Sequence, residues 1–430
     1  MKIARDHYLN ELIKRKHNGM VKVITGIRRC GKSYLLNDLF YNHLLNAGID
    51  RSHIIRFAFD SRDDLSLIGE DYFGVEKRKH KVNPNKFADY VYSKIEDDGM
   101  HYLLLDEVQN LEGFEYVLND CLRKGNLDVY VTGSNSRFLS TDVLTEFAGR
   151  GDEIHMLPLS FSEFCACQKG SPDEALDNYF VYGGLPAVAL MDNDSLKVNY
   201  LKTQVQNVYL RDIVLRYKVK NRESLGELLD VLASGISTLV NPTKLANTFK
   251  SIKHEDLPDK TIAQYIGYMQ DAFLIKTAKR YDVKGKKYIS TPYKIYFEDV
   301  GLRNAELDFR QIEETHIMEN VIFNELRYRG FNVDVGVVEK KTTVSGKTER
   351  KRYEVDFIAN SGRRKYYIQS AYDIGNGEEL SQKTNSFDQI GDSFKKIIIV
   401  NRTMKPRSTE KGYTIVGLKD FLLNADSLDY

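Results

Sequence analysis

Val21-Lys22-Val23-Ile24, one further residue, and then Gly26-Ile27-Arg28-Arg29-Cys30-Gly31-Lys32-Ser33 is the stretch on which the reading of the fold turns. The first four residues read as a short buried strand. The last eight fit G-x-x-x-x-G-K-[ST], the pattern of a loop that cradles phosphates between a strand and a helix. Gly26 and Gly31 let the backbone curl so that its N–H groups point inward. A helix starting near Lys32, with its body from Tyr34 to Leu45, adds its positive end. Lys32 is expected to reach the β- and γ-phosphates of ATP and Ser33 to ligate Mg²⁺. Ile27, Arg28, Arg29, Cys30 and Tyr34 complete the expected cradle. A chance match to four constrained positions is rare, roughly a few per cent in a chain of this length.

The same logic extends downstream. His101-Tyr102-Leu103-Leu104-Leu105-Asp106-Glu107 is an apolar run ending in two acids. In a parallel sheet that end is the edge where ligands bind. Asp106 is expected to hold Mg²⁺ through water and Glu107 to polarise the attacking water. A solvated strand end explains the pair less well at this distance from a phosphate loop. Val129 to Thr132 is a further strand, ending in Thr132-Gly133-Ser134-Asn135. Ser134 or Asn135 is placed to bond the γ-phosphate or the lytic water, and a plain turn is the alternative. Arg150 is the first choice for a charge-stabilising arginine and Arg137 the second, against the reading of both as ordinary surface cations. Action across a subunit boundary would make catalysis depend on a homo-oligomer.

Ile54 to Phe59 supplies another strand. Strands alternating with amphipathic stretches predict a parallel sheet with crossover helices, an α/β fold. From about 160 to 235 the pattern is helical, interrupted by Gly183-Gly184-Leu185-Pro186. Helices at Thr243 to Lys250 and Thr261 to Asp271, then β-like runs Leu274 to Tyr281 and Lys286 to Ser290, follow the order of a winged helix. Beyond 300 come a helix, Glu313 to Tyr328, and strands Phe331 to Val338, Tyr353 to Ile358, Tyr366 to Ala371 and Lys396 to Val400.

With 430 residues the chain exceeds what one core usually serves. Hydrophobic residues at 42%, charged residues at 29% and a net charge of +1 fit a globular protein with no global field for nucleic acid or membrane. Four cysteines are too few for a disulfide scaffold and imply a reducing, cytoplasmic setting. Cys165 and Cys167 have no second Cys or His pair nearby and read as small apolar residues on a helix. The N-terminus has no apolar signal core, and no run approaches the roughly 18 apolar residues of a membrane span.

These motifs together resemble the bacterial and archaeal ATPases of the AAA superfamily that pair a P-loop domain with a C-terminal domain known as DUF4143. The matching stretches are Gly26 to Leu36, Leu103 to Gln109, Val131 to Ser136, Pro158 to Phe164, Tyr182 to Pro186, Tyr209 to Ile213, Ile295 to Arg303, Glu354 to Ile358 and Tyr367 to Ala371. The resemblance implies a P-loop ATPase core over 1–165, a helical lid over 166–235, a winged helix over 236–305 and a nuclease-like α/β domain over 306–430. It also implies that Gly184 and Pro186 form a lid turn near the adenine, where a simple loop break is the other reading.

In the tail, Glu319 on a helix, Asp356 on a strand and Gln369-Ser370-Ala371 on the next strand are similar to the PD-(D/E)xK nuclease layout. That layout has a carboxylate where this chain has Gln369 and a lysine where it has Ala371. Gln is a poor Mg²⁺ ligand, and the motif itself offers no cation to activate water, so cutting is not expected. DNA or a protein partner is placed at the winged helix or at the basic segment 340–352, with Lys340, Lys341, Lys347, Arg350, Lys351 and Arg352. The second winged-helix helix has no Arg or Lys after Lys260, which favours packing over DNA reading.

Overall fold

The computed structural model describes residues 3–70, 81–133, 149–253, 257–344, 347–373 and 377–430. Contacts divide the chain into two compact units, one over 2–158 with 271–273 and the other over 159–270 with 274–430.

The first unit is built on a five-stranded, all-parallel sheet. Its strands are β1 (Val21–Thr25), β2 (Ile54–Ala58), β3 (His101–Asp106), β4 (Leu127–Thr132) and β5 (Gly151–His155), in the order β2-β3-β4-β1-β5. This is the order of a P-loop NTPase core. The three central strands β1, β3 and β4 are buried along their whole length, as a sheet covered by helices on both faces requires. Val23, Phe57, Leu103, Leu105, Val129 and Val131 pack against Phe87, Phe114 and Leu118 of the crossover helices. Lys22 stands inside this sheet because its ammonium pairs with Asp128 and lies over the Tyr130 ring.

The helix after the phosphate loop runs continuously from Lys32 to Asn46, with a π-helical segment over Leu35–Phe40. Strand β5 was not expected from the sequence. Gly-Asp-Glu-Ile-His carries charges rather than an apolar run, and only Ile154 of the five is buried. It is an edge strand, paired on one side with β1.

The second unit opens with helices from Phe161 to Ser234. Two capping boxes start the first two of them, at Ser160–Glu163 and Ser171–Glu174. Strand β6 (Leu239–Val240) and helices Pro242–Thr248 and Asp259–Asp271 precede the hairpin β7 (Ile275–Asp282) and β8 (Lys287–Phe297). Ile262, Tyr265, Ile266 and Met269 are buried, the face expected from their spacing.

Strands β9 (Asn332–Val344), β10 (Lys347–Ser361), β11 (Arg364–Ala371), β12 (Lys395–Val400), β13 (Arg407–Ser408) and β14 (Thr414–Gly417) follow the helix Glu314–Tyr328. They join the hairpin in one mixed nine-stranded sheet, β13-β14-β12-β11-β10-β9-β7-β8-β6, through parallel pairing of Arg280 to Asp282 with Val335 to Val337. A boundary at 305 falls in the helix Val300–Glu306, with strands of this one sheet on both sides of it in the chain. The expected hairpin around Ser345-Gly346 has its arms paired antiparallel from Asn332–Asn360 to Val344–Lys347, and residues 345 and 346 themselves lie outside the described residues.

Candidate functional site

Strand β4 separates β1 from β3, so the loop after β1 and the acids after β3 face one another across its end. The loop depends on two glycines. Gly26 has φ +139°, and a Cβ there would run into the Met156 carbonyl oxygen. Gly31 has φ +102° and stands at the N-cap of the following helix. Both conformations are ones that only glycine adopts without strain. Ile27 and Cys30 are fully buried, so they anchor the loop by their side chains and offer the ligand only backbone; Arg28, Arg29 and Ser33 are exposed. Lys32 is 5% exposed, and its Nζ donates to the Gly26 and Ile27 carbonyls at 2.9 and 3.1 Å.

Asp106 ends β3 and is buried. The Thr132 hydroxyl, at the end of β4, donates to Asp106 Oδ1 and accepts the Glu107 N–H at 3.0 Å. Thr132 therefore locks both acids in place. Glu107 has φ +52°, a left-handed conformation unusual for a residue with a side chain, and Gln109 Nε2 donates to its Oε2. Burial raises the Glu107 carboxyl above its usual range; Lys32 and Gln109 oppose this, while Asp106 and Asp60 add to it. A partly buried carboxyl so tuned beside a lysine is the pattern of a functional acid or base.

Asp60 is a third carboxylate here that sequence reasoning missed. Partial burial and Asp106 raise its pKa, and Arg28 acts the other way. The signal was available: Asp60 directly follows Phe59 on the same sheet edge as Asp106.

Two expectations need correction or restriction. Arg150 precedes β5, and its carbonyl accepts the Val21 N–H at 2.8 Å, at the start of β1. Five residues of strand, at ~3.3 Å each, separate that point from the phosphate loop, beyond the reach of one side chain. Arg150 thus does not belong to the phosphate site of its own chain. Ser134, Asn135 and Arg137 lie outside the described residues.

In the second unit, Gly183 and Gly184 have a local structural job. The Gly184 N–H donates to buried Asp299 Oδ2 at 2.7 Å, and the Leu159 N–H donates to the Gly184 carbonyl at 2.8 Å. A Cβ on Gly183 or Gly184 would strike Asp299 or the Leu159 carbonyl, respectively. Pro186 occupies the first turn of the helix Pro186–Ala189, where a missing N–H costs nothing.

The nuclease-like residues do come together. Lys294 Nζ, on β8, lies 2.9 Å from Glu319 Oε1 and 2.7 Å from Glu354 Oε1. The Tyr296 hydroxyl donates to Glu319 Oε1 at 2.7 Å. Asp356 Oδ2 accepts the Ser370 N–H at 2.9 Å and Lys383 Nζ at 3.0 Å. Gln369 accepts the Asp356 N–H and donates to the Glu354 carbonyl and the Ser386 hydroxyl, so its amide is committed to structure. The motif position itself is Ala371, and two lysines from outside the motif, Lys294 and Lys383, stand on these carboxylates. Burial works against the Lys294 charge, yet Glu319, Asp356 and Glu354 outweigh it and raise its pKa. Burial likewise opposes the charge on Asp356, and Lys383 and Lys294 hold that carboxyl below its usual range.

Sheet order, glycine loop and paired acids are those of a nucleotide-binding P-loop core, and residues 18–165 match the family model described as an AAA domain. The chain belongs to the family of an uncharacterized protein of Haemophilus influenzae, with which it is 32% identical over 429 residues covering 98% of each chain. It is also similar to the uncharacterized protein MJ1544 of Methanocaldococcus jannaschii, at 28% identity over 82% of this chain and 75% of that one. Residues 173–313 match a domain of unknown function, DUF8612, in place of the DUF4143 domain that the resemblance implied. Among solved structures, the chain is similar to Aeropyrum pernix ORC1 in complex with DNA, at 12% identity over 71% of this chain and 92% of that one with TM-score 0.32. AMPPCP-bound DnaA from Aquifex aeolicus matches at 13% identity over 61% and 86%, with TM-score 0.28. No helix among the described residues is long and apolar enough to cross a membrane.

Proposed function

We propose that this protein hydrolyses ATP in its first unit and uses the cycle to alter the state of its second. The observation that carries the reading is the set of groups on one sheet edge: buried Lys32, and Asp106 and Glu107 both pinned by Thr132. The inward-curled loop and the N-terminus of the helix from Lys32 bind and orient the phosphates, with the Lys32 ammonium opposite the β- and γ-oxygens. The donor set of a hydroxyl and a carboxylate suits Mg²⁺; Ser33 and Asp106 would hold it, and it would offset phosphate charge. Glu107 accepts a hydrogen bond from the attacking water and turns it toward the γ-phosphorus. Gln109 holds that carboxylate, and Thr132 holds the Glu107 backbone N–H. Arg150, remote from its own chain's loop, is proposed to act only across a subunit boundary in a homo-oligomer.

The test uses Glu107→Gln, which keeps size and hydrogen bonding but loses the carboxylate charge. ATP affinity should stay within a few-fold of wild type while single-turnover hydrolysis falls ~100-fold or more, the usual cost of losing one preorganised charged group. Lys32→Ala should instead lose tight nucleotide binding by calorimetry. Wild-type turnover in Glu107→Gln removes that residue from the mechanism, and unchanged affinity in Lys32→Ala removes the site.

For the second unit we propose a winged helix continuous with a nuclease-like sheet that binds a partner without cutting nucleic acid. Support for the absence of cutting comes from the carboxylates themselves, which are already paired with lysines. A phosphate-bearing partner is favoured by Lys340, Arg350, Lys351 and Arg352, exposed cations on β9 and β10 with Lys340 directly opposite Lys351. Like charges facing across strands destabilise unless an anion joins them.

A further inference from the structure

The N-terminal ends of β2 and β3 lie at the sheet edge opposite the phosphate loop. Three side chains meet there: His53, which closes the turn Arg51–His53 before β2; Asp97, in the turn before β3; and His101, the first residue of β3. One ligand atom from each lies within 4.8 Å of the other two. Asp97 Oδ1 accepts the Gly99 N–H at 2.8 Å, while Oδ2 lies 3.0 Å from His53 Nε2. His101 Nδ1 lies 2.8 Å from the Gly99 carbonyl oxygen. A carbonyl accepts only, so Nδ1 carries the proton and Nε2 keeps its lone pair. A histidine tied to a backbone carbonyl in this way has its ring orientation and tautomer fixed as metal ligands do.

The two imidazoles lie 4.4 Å apart at 32°. A Cβ on Gly99 would come within 2.8 Å of Asp97 Oδ1 and 2.9 Å of His53 Cε1, so the turn closes against the cluster. The Gly99 N–H, and then His53, hold the Asp97 carboxyl below its usual range, which leaves it ionised at neutral pH. His101 is buried at 1% exposure, whereas the His53 and Asp97 side chains are 26% and 56% exposed. The cluster is thus anchored on one side and open to water on the other.

We propose that His53, Asp97 and His101 form a binding site for a divalent transition metal of the Zn²⁺ type. Two imidazole nitrogens and one carboxylate oxygen are the donors, and water takes the fourth position. Imidazole suits Zn²⁺, Co²⁺, Ni²⁺ and Cu²⁺, whereas Mg²⁺ and Ca²⁺ take oxygen donors, so this site is chemically separate from the nucleotide's Mg²⁺. A bound ion ties the entry of β2 to the turn that enters β3.

The test is titration of the full-length protein with Co²⁺, in large excess Mg²⁺ to keep oxygen-only sites filled, followed by visible absorption. One equivalent should bind with the intense bands of a tetrahedral site, and Zn²⁺ should displace it. His53→Gln and Asp97→Asn are partly exposed changes, and circular dichroism checks that each remains folded. Each should weaken binding at least tenfold and remove the bands, while Cys165→Ser/Cys167→Ser leaves them intact. No saturable uptake by the wild type, or bands that survive in both Asp97→Asn and His53→Gln, would overturn the proposal and leave a plain His–Asp pair. If His53→Gln does not fold, Asp97→Asn decides alone.

Discussion

Lys294→Met should destabilise the second unit strongly, and in a manner that depends on pH. Lys294 is 4% exposed and bridges Glu319 and Glu354 at 2.9 and 2.7 Å. Methionine keeps the reach and loses the charge. Glu319, 8% exposed, then keeps the Tyr296 hydroxyl as a hydrogen-bond donor but loses its cation. Removing one member of a buried pair costs ~3–5 kcal/mol, because the other charge is left buried and uncompensated. Glu354 is partly exposed and adds little. At ~2–4 °C per kcal/mol for a domain of this scale, Tm should fall by roughly 6–20 °C.

The sign of the pH effect follows from Glu319. Burial already raises its pKa, with Lys294 the chief opposing group. Losing Lys294 raises it further, so the stability of the variant is best at low pH and is lost as pH rises through that higher value. The deficit should therefore be smaller at pH 5 than at pH 8. Calorimetry at both pH values on wild type, Lys294→Met and Lys294→Met/Glu319→Gln reads this directly. The double variant should recover most of the loss at pH 8, since Gln needs no countercharge. A deficit below ~1 kcal/mol at pH 8, or no recovery in the double variant, would show that the pair carries none of the energy assigned to it.

The remaining predictions concern chemistry and titration. Linear, supercoiled and single-stranded DNA, and RNA, should stay intact with the protein in Mg²⁺ or Mn²⁺, with or without ATP; cleavage that vanishes in Asp356→Ala but survives Lys32→Ala would refute this and make Lys383 or Lys294 the working cation. Glu306, pushed up to about 8 by burial and by Asp230, contributes stability that is full below its unfolded value and is lost as pH rises through 8. Glu306→Gln should match wild type near pH 4.5 and exceed it by on the order of 1 kcal/mol at pH 8.5, after allowing for solvent screening of a partly exposed pair; a constant difference across calorimetric runs at the two pH values would rule the assignment out.

Much of the first unit was legible because its signals are local. Gly26, Gly31 and Lys32 occupy fixed places in one turn, and the apolar runs of β1 to β4 need only be read along the chain. The strand ends were found within a residue or two. The edge strand β5 was not, because an edge strand has little apolar surface to bury and Gly151–His155 carries its charges outward. Gly183 and Gly184 could be recognised as a break, but the reason for glycine, the close approach of Asp299 to Gly183 and of the Leu159 carbonyl to Gly184, lies far along the chain.

By itself the sequence determined the two-glycine loop after β1, the two acids ending β3 and the alternation of strands and helices, since each depends on residues adjacent in the chain or at a fixed period. Tertiary structure alone decided which distant groups share a site. It placed Thr132 across Asp106 and Glu107, put Arg150 at the wrong edge of the sheet for its own loop, and brought His53 to His101. It also set Lys294 and Lys383 on the carboxylates of a motif whose own lysine position is Ala371. A charge acts through distance in space, and no spacing within one strand or turn records the fold that sets Lys294 on Glu319, Lys383 on Asp356 and each pair in the field of the other.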